Sequence, residues 1–154
     1  MMSLSTTTGY AIKALVELAE EDGKTLFVRD ISVRAGVPAP YLAKIIQRLH
    51  AARIVKAKRG HKGGVQLARR PEAITVLDIG KAIDGEDVVG NCLLGKVFCD
   101  NLPACPTHPF WGKVGPQIEH ELDRWTLRDM VEFIKKCDLR KKGGAASLSA
   151  GAGI

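Results

Sequence analysis

One stretch limits the fold more than any other: VRDISVRAGVPAPYLAKIIQRLHAARIV, from Val28 to Val55. Arg29–Ala35 has the pattern of a short helix with Ile31 inward; Gly36 stops it, and Val37-Pro38 makes a turn. From about Ala39 to Ala52, Leu42, Ile45, Ile46 and Leu49 recur on one face of a second, longer helix. A short helix, a glycine-containing turn and a longer helix with a basic outer face form the helix-turn-helix pattern. Off the apolar stripe stand Pro40, Tyr41, Lys44, Gln47 and Arg48, the side chains a recognition helix would offer to base edges. An ordinary amphipathic helix pair has the same spacing, so the flanking sequence must decide.

It decides through glycine and charge. IVKAKRGHKGGVQLARR reads as two strands, Ile54–Lys58 and Gly64–Leu67, joined by Arg59-Gly60-His61-Lys62-Gly63. A glycine-rich hairpin with a basic tip is a wing, whose Arg59, His61 and Lys62 can reach the sugar-phosphate backbone or a narrow minor groove. It is not a phosphate-cradling P-loop, because no helix pattern follows it and the Lys-Ser/Thr pair is missing. Residues 1–70 hold 13 Lys/Arg against 5 Asp/Glu, a net +8, whereas residues 71–154 hold 10 against 12, a net −2. Between Lys44 and Arg70 there are nine basic residues and no acidic one. A solvated charged face usually carries carboxylates too; a run this lopsided suits phosphate contacts.

Around this motif the chain is mostly helical. Ser5 and Thr6 are N-cap candidates for a first helix through about Glu21, and Thr25-Leu26-Phe27 could form a small strand. Thr75-x-x-Asp78 opens a helix through about Asp84. Trp111, Val114, Ile118, Leu122 and Trp125 follow at near-heptad spacing, which predicts pairing with a second copy of the chain; the other reading packs them on the chain's own winged helix. Pro116 predicts either a kink in this helix or its start. Thr126-x-x-Asp129 opens a last helix ending near Cys137, a bystander thiol, and the small-residue tail beyond is expected to be disordered.

Between the two helical regions lies a loop with three cysteines and a histidine in 17 residues, Cys92, Cys99, Cys105 and His108, punctuated by Gly90, Gly95, Pro103, Pro106 and Pro109. The chain has no membrane-length apolar run and no signal-peptide core near its start, so a cytoplasmic location is expected. There, cysteines serve more often as metal ligands or reactive thiols than as disulfides. Three Cys and one His also make a zinc set, but the six- and five-residue gaps here are wider than structural zinc sites use. No nucleophile–base pair suggests an enzyme. The plan is thus a winged helix-turn-helix with a two-stranded wing over 1–71, a connecting helix over 72–90, a ligand loop over 91–109, dimerisation helices over 110–137 and a tail over 138–154.

Over roughly Met2 to Phe133 the chain resembles the IscR/NsrR family of bacterial winged-helix transcription regulators. The resemblance rests on Leu4-Ser5 with Gly9-Tyr10-Ala11, Pro40-Tyr41-Leu42, Arg59 through Gly64 with Leu67-Ala68-Arg69, the cysteine triplet, and Thr126-Leu127-Arg128-Asp129. It implies a homodimer on palindromic double-stranded DNA, without membrane association, and an iron–sulfur cluster, [2Fe–2S] favoured over [4Fe–4S], on Cys92, Cys99 and Cys105. Cys105 through His108 and Trp111 resemble the IscR branch, which implies His108 as fourth ligand and exchange with cluster-assembly proteins. The expected function is a repressor whose operator binding follows iron, redox or nitrosative state. The alternatives are a cluster-free regulator controlled by thiol oxidation or a partner protein, and an iron–sulfur carrier or electron-transfer protein. Three departures stand out: one extra residue between Cys92 and Cys99, no acidic residue among Thr6–Gly9 where NsrR-type members place one, and Ala43 where IscR has a glutamate.

Overall fold

The computed structural model describes residues 4–21, 23–58, 60, 63–89 and 106–148, with side chains as far as Cys137. In chain order these form α1 (Thr6–Glu20), α2 (Val28–Ala35), α3 (Ala39–Ala51), β1 (Val55–Lys58), β2 (Gly64–Leu67), a 3-10 turn (Pro71–Ala73), α4 (Val76–Asp84), α5 (His108–Arg124) and α6 (Leu127–Leu148).

Local chemistry sets most of the boundaries. Ser5 caps α1, its hydroxyl accepting the Thr8 amide at 3.2 Å. Gly36 closes α2 in the left-handed conformation, φ 65°, which costs glycine least. The Ser32 hydroxyl then donates to the Val37 carbonyl at 2.6 Å and fixes the turn into α3. Pro40 sits in the first turn of α3, where its missing amide matters least. β1 and β2 pair antiparallel from Val55 with Leu67 to Lys58 with Gly64. The expected strand at Thr25–Phe27 is reduced to one bridge, Leu26 with Val65, on the other side of β2. A Cβ on Gly64 would fall 3.0 Å from the Leu26 carbonyl oxygen, so glycine lets the chain come this close.

A single core joins α1 (Ala11, Ala14, Leu15, Leu18), α2 (Ile31), α3 (Leu42, Ile45, Leu49), Ile54, Val65, α4 (Ile79, Ile83) and α6 (Leu127, Val131). Packing therefore continues past residue 71: α4 lies against α1 and α3, and α6 folds back onto α1. Each fully buried Leu or Ile contributes about 1.5–3 kcal/mol from leaving water, which ties these elements into one cooperative unit.

α5 behaves differently. It lies against α4, and Trp111 and Gly115 are its buried residues. Val114, Ile118 and Leu122 are half-covered, and Phe110 and Trp125 are exposed. Its stripe is thus covered only in part within the chain, at Trp111 most and at Trp125 least. The helix does not begin at Pro116: it starts at His108, with Pro109 in the first turn, and runs through Pro116 to Arg124. α6 is also longer than expected, continuing past Cys137 to Leu148. Once a helix exists, Lys, Arg, Leu and Ala extend it without a new nucleus, and Gly143-Gly144, at about 1 kcal/mol each, do not stop it. Among the described residues no helix is long and apolar enough to cross a membrane.

Candidate nucleic-acid interface and ligand loop

The apolar face of α3 is buried, and Pro40, Tyr41, Lys44, Gln47 and Arg48 all stand on its exposed side. Their roles divide. Pro40 and Lys44 face outward, and Lys44 has no carboxylate partner among the described residues. Tyr41 and Arg48, expected as DNA-facing, are engaged by the fold. The Tyr41 hydroxyl hydrogen-bonds that of Thr7, and its ring meets Tyr10 edge-on at 5.8 Å. This pins the start of α3 to α1 while leaving 39% of Tyr41 exposed. Arg48 reaches from the last turn of α3 to the end of α4, where Nη1 donates to the Ile83 carbonyl at 2.7 Å.

That contact belongs to a larger joint. Asp84, the last residue of α4, accepts the Ser5 amide at 3.1 Å, the Thr8 hydroxyl at 2.7 Å and the Ser5 hydroxyl. Burial alone would raise the Asp84 carboxyl, but the Ser5 and Thr8 hydrogen bonds, with Arg48 nearby, hold it below the usual range. The start of α1, the end of α4 and the last turn of α3 therefore meet at one place. Spacing along a single helix carried no sign of it.

The wing is built as expected at its base. Lys56 and Lys58 are exposed on β1, and the Gly63 amide donates to Gly60, φ 105°, at 2.9 Å across the turn. Arg59, His61 and Lys62 at the tip lie outside the described residues. Arg69 is not offered to solvent in the same way: it pairs with Asp78 at 3.0 Å and donates to the Ala73 carbonyl at 3.1 Å.

Cys92, Cys99 and Cys105 also lie outside the described residues. His108 is the first residue of α5 and is half-buried. Among the described residues no three His, Cys, Asp or Glu side chains gather as a metal site. Both approaches to the loop are nevertheless held. Before it, Val88 packs over Gly80 of α4, where a Cβ would meet Val88 at 3.1 Å and Leu4 at 3.0 Å. After it, Trp111 is buried one turn into α5. The far ends of the same two helices are tied by the Val76 amide, which donates to the Trp125 carbonyl at 2.8 Å.

Comparison with known proteins agrees with this architecture. The Rrf2 family model, described as an iron-dependent transcriptional regulator, matches residues 4–133. The Rrf2 protein of Nitratidesulfovibrio vulgaris Hildenborough is 28% identical over 137 residues, covering 88% of this chain and 91% of that protein. The structure of CymR, the global cysteine regulator of B. subtilis, matches with a TM-score of 0.69 and 27% identity, covering 86% of this chain and 98% of that one. T. potens IscR matches with a TM-score of 0.65 and 33% identity, covering 88% and 90%. A winged helix of this kind is a DNA-binding fold, and the family consists of regulators rather than enzymes. The chain belongs to the Rrf2 family of transcriptional regulators.

Proposed function

We propose that the protein is a homodimeric repressor of palindromic operators, and that the state of its cysteine loop controls its grip on DNA. Pro40, Lys44 and the flank of Tyr41 would meet the major groove, with Arg59, His61 and Lys62 of the wing on the flanking backbone. Cys92, Cys99, Cys105 and His108 would hold an iron–sulfur cluster. Three soft thiolates and one imidazole fit such a group, and [2Fe–2S] suits the mixed set better than [4Fe–4S]. When bound, the cluster supplies one-electron redox chemistry and sensitivity to oxidants or nitric oxide.

The observation that carries control is the Arg48–Ile83 hydrogen bond. α4 leads into the loop, and its last turn holds both the recognition helix, through Arg48, and the start of α1, through Asp84. Donors drawn together would hold the loop's two ends, at Val88 and His108, in one relation. Donors released would let the end of α4 shift, and α3 with it. Half-site spacing on DNA is fixed, so a small rotation of α3 in each protomer changes affinity, and DNA must shift occupancy of the loop by the same factor.

The test is protein purified without oxygen, analysed for iron and sulfide and titrated with operator DNA before and after chelation. Near-equal iron and sulfide, with a changed affinity after chelation, is the expected result. Cys99→Ala should lose the iron and sulfide yet keep its fold and dimer. Metal-free protein that still footprints a palindrome would instead make this a thiol- or partner-controlled regulator, and one zinc per chain would make the loop structural. Iron and sulfide without sequence-specific DNA binding would point to a carrier.

A further inference from the structure

The chain leaves α3 through a turn in which the Ile54 amide donates to the Leu49 carbonyl at 2.9 Å and the Arg53 amide to that of His50 at 3.0 Å. The residue that closes such a turn takes the left-handed conformation, the position glycine fills with least strain. Here that residue is Arg53, with φ 56°, the sole non-glycine at positive φ among the described residues. Arg53 is exposed, with no hydrogen bond or ion pair among the described residues. Its surroundings are one-sided, because the stretch from Lys44 to Arg70 carries nine Lys/Arg and no carboxylate. Lys56 and Lys58 are exposed just beyond it on β1.

An exposed arginine in the left-handed conformation, without a partner among the described residues, stands at the junction between recognition helix and wing. We propose that Arg53 is a backbone contact for duplex DNA, its guanidinium binding phosphate between the segment read by α3 and the segment reached by the wing. Guanidinium forks suit phosphate oxygens, and no carboxylate among the described residues pairs with Arg53. This rests on the DNA-binding reading above and adds a contact to it that helical spacing does not reveal.

Arg53→Gly separates the two roles because they change in opposite directions. Relief of the left-handed strain should raise the melting temperature by roughly 2–4 °C. Loss of one phosphate contact should weaken binding to any duplex about five- to ten-fold at fixed salt, and reduce the slope of log K against log salt by about 0.9. Arg53→Lys keeps the charge and the strain, and should retain the wild-type slope. Arg53→Gly binding with unchanged affinity and slope would overturn the proposal, as would a loss confined to one DNA sequence. Wild-type protein that binds no duplex at any salt would remove the underlying DNA-binding reading instead, a different failure from an indifferent Arg53.

Discussion

Thr75 and Thr126 face each other across an antiparallel bridge, and each also caps the helix that follows it. The Thr75 hydroxyl accepts the Asp78 amide at 3.1 Å, and that of Thr126 accepts the Asp129 amide at 3.3 Å. Each aspartate reaches back to its threonine's amide, at 3.4 Å for Thr75 and 2.8 Å for Thr126. Two capping boxes thus stand side by side where α4 and α6 begin and α5 ends, joined by the Leu127 amide to the Ile74 carbonyl and the Val76 amide to the Trp125 carbonyl, both 2.8 Å. The helix pair flanking the cysteine loop is tied at this end, and under the proposed control a rearrangement would fall at the other end, at Asp84 and His108.

Thr75→Ala and Thr126→Ala each remove a cap from a helix that packs into the common core. Each should cost about 1 kcal/mol, read as a lower urea midpoint with an unchanged slope. The backbone bridge survives both changes, so the fold should persist. Midpoints equal to wild type would show that water replaces these caps without loss.

Asp84 makes a pH-dependent contribution whose sign follows from its hydrogen bonds. Its folded pKa is held below the ordinary value, which is about 3.9 in the unfolded chain. The stabilisation is therefore complete above about pH 4 and is lost as pH falls through the folded value. Asp84→Asn should lower stability at neutral pH and shrink the loss as pH falls below about 4. Asp129, lowered by the Thr126 hydroxyl, and Glu72, lowered by its own amide and by Arg128, keep part of the acid dependence in the variant. Urea midpoints across that range decide the matter; parallel curves for variant and wild type would leave Asp84 without this role.

The features legible in the sequence are those set by neighbours along the chain. Ser5, Gly36, Thr75 with Asp78, and the Gly60–Gly64 turn act within a few residues, and each is where its pattern put it. Helical spacing likewise sorted α3 into a buried face and an exposed one. It could not say what the flanks touch: Tyr41 and Arg48 stand on the exposed side as expected, and they also hydrogen-bond to Thr7 and Ile83, 34 and 35 positions away. Arg53 is hidden from pattern for another reason. A helix end read from pattern is uncertain by a residue or two, and the left-handed position is visible only once the end is fixed at Ala51.

Lys44 and Arg59 should separate base reading from backbone holding. Lys44 lies on the exposed face of α3, so Lys44→Ala should cost about 1–3 kcal/mol on the cognate operator and relax discrimination at one base position. Arg59→Ala should weaken all sequences alike and cut the salt slope by about 0.9. Titrations on cognate and scrambled duplexes at several salt concentrations distinguish them. The division fails if Lys44→Ala lowers both duplexes equally.

The stripe on α5 yields the last prediction. Val114, Ile118 and Leu122 are only half-covered within one chain, and none belongs to the common core. Their four-residue spacing presents a continuous ridge, the pattern by which a helix packs against another copy. Leu122→Glu adds a carboxylate that one chain alone can leave in water, but that a paired helix would bury. The variant should keep its helical signal while sedimenting as a monomer. A palindrome bound by two linked halves gains about 10²–10⁴ over one bound by separate halves, so operator affinity should drop within that range while a half-site is bound as before. A Leu122→Glu protein that remains a dimer would place the interface elsewhere, and Phe133, 61% exposed on α6, would be the next residue to test.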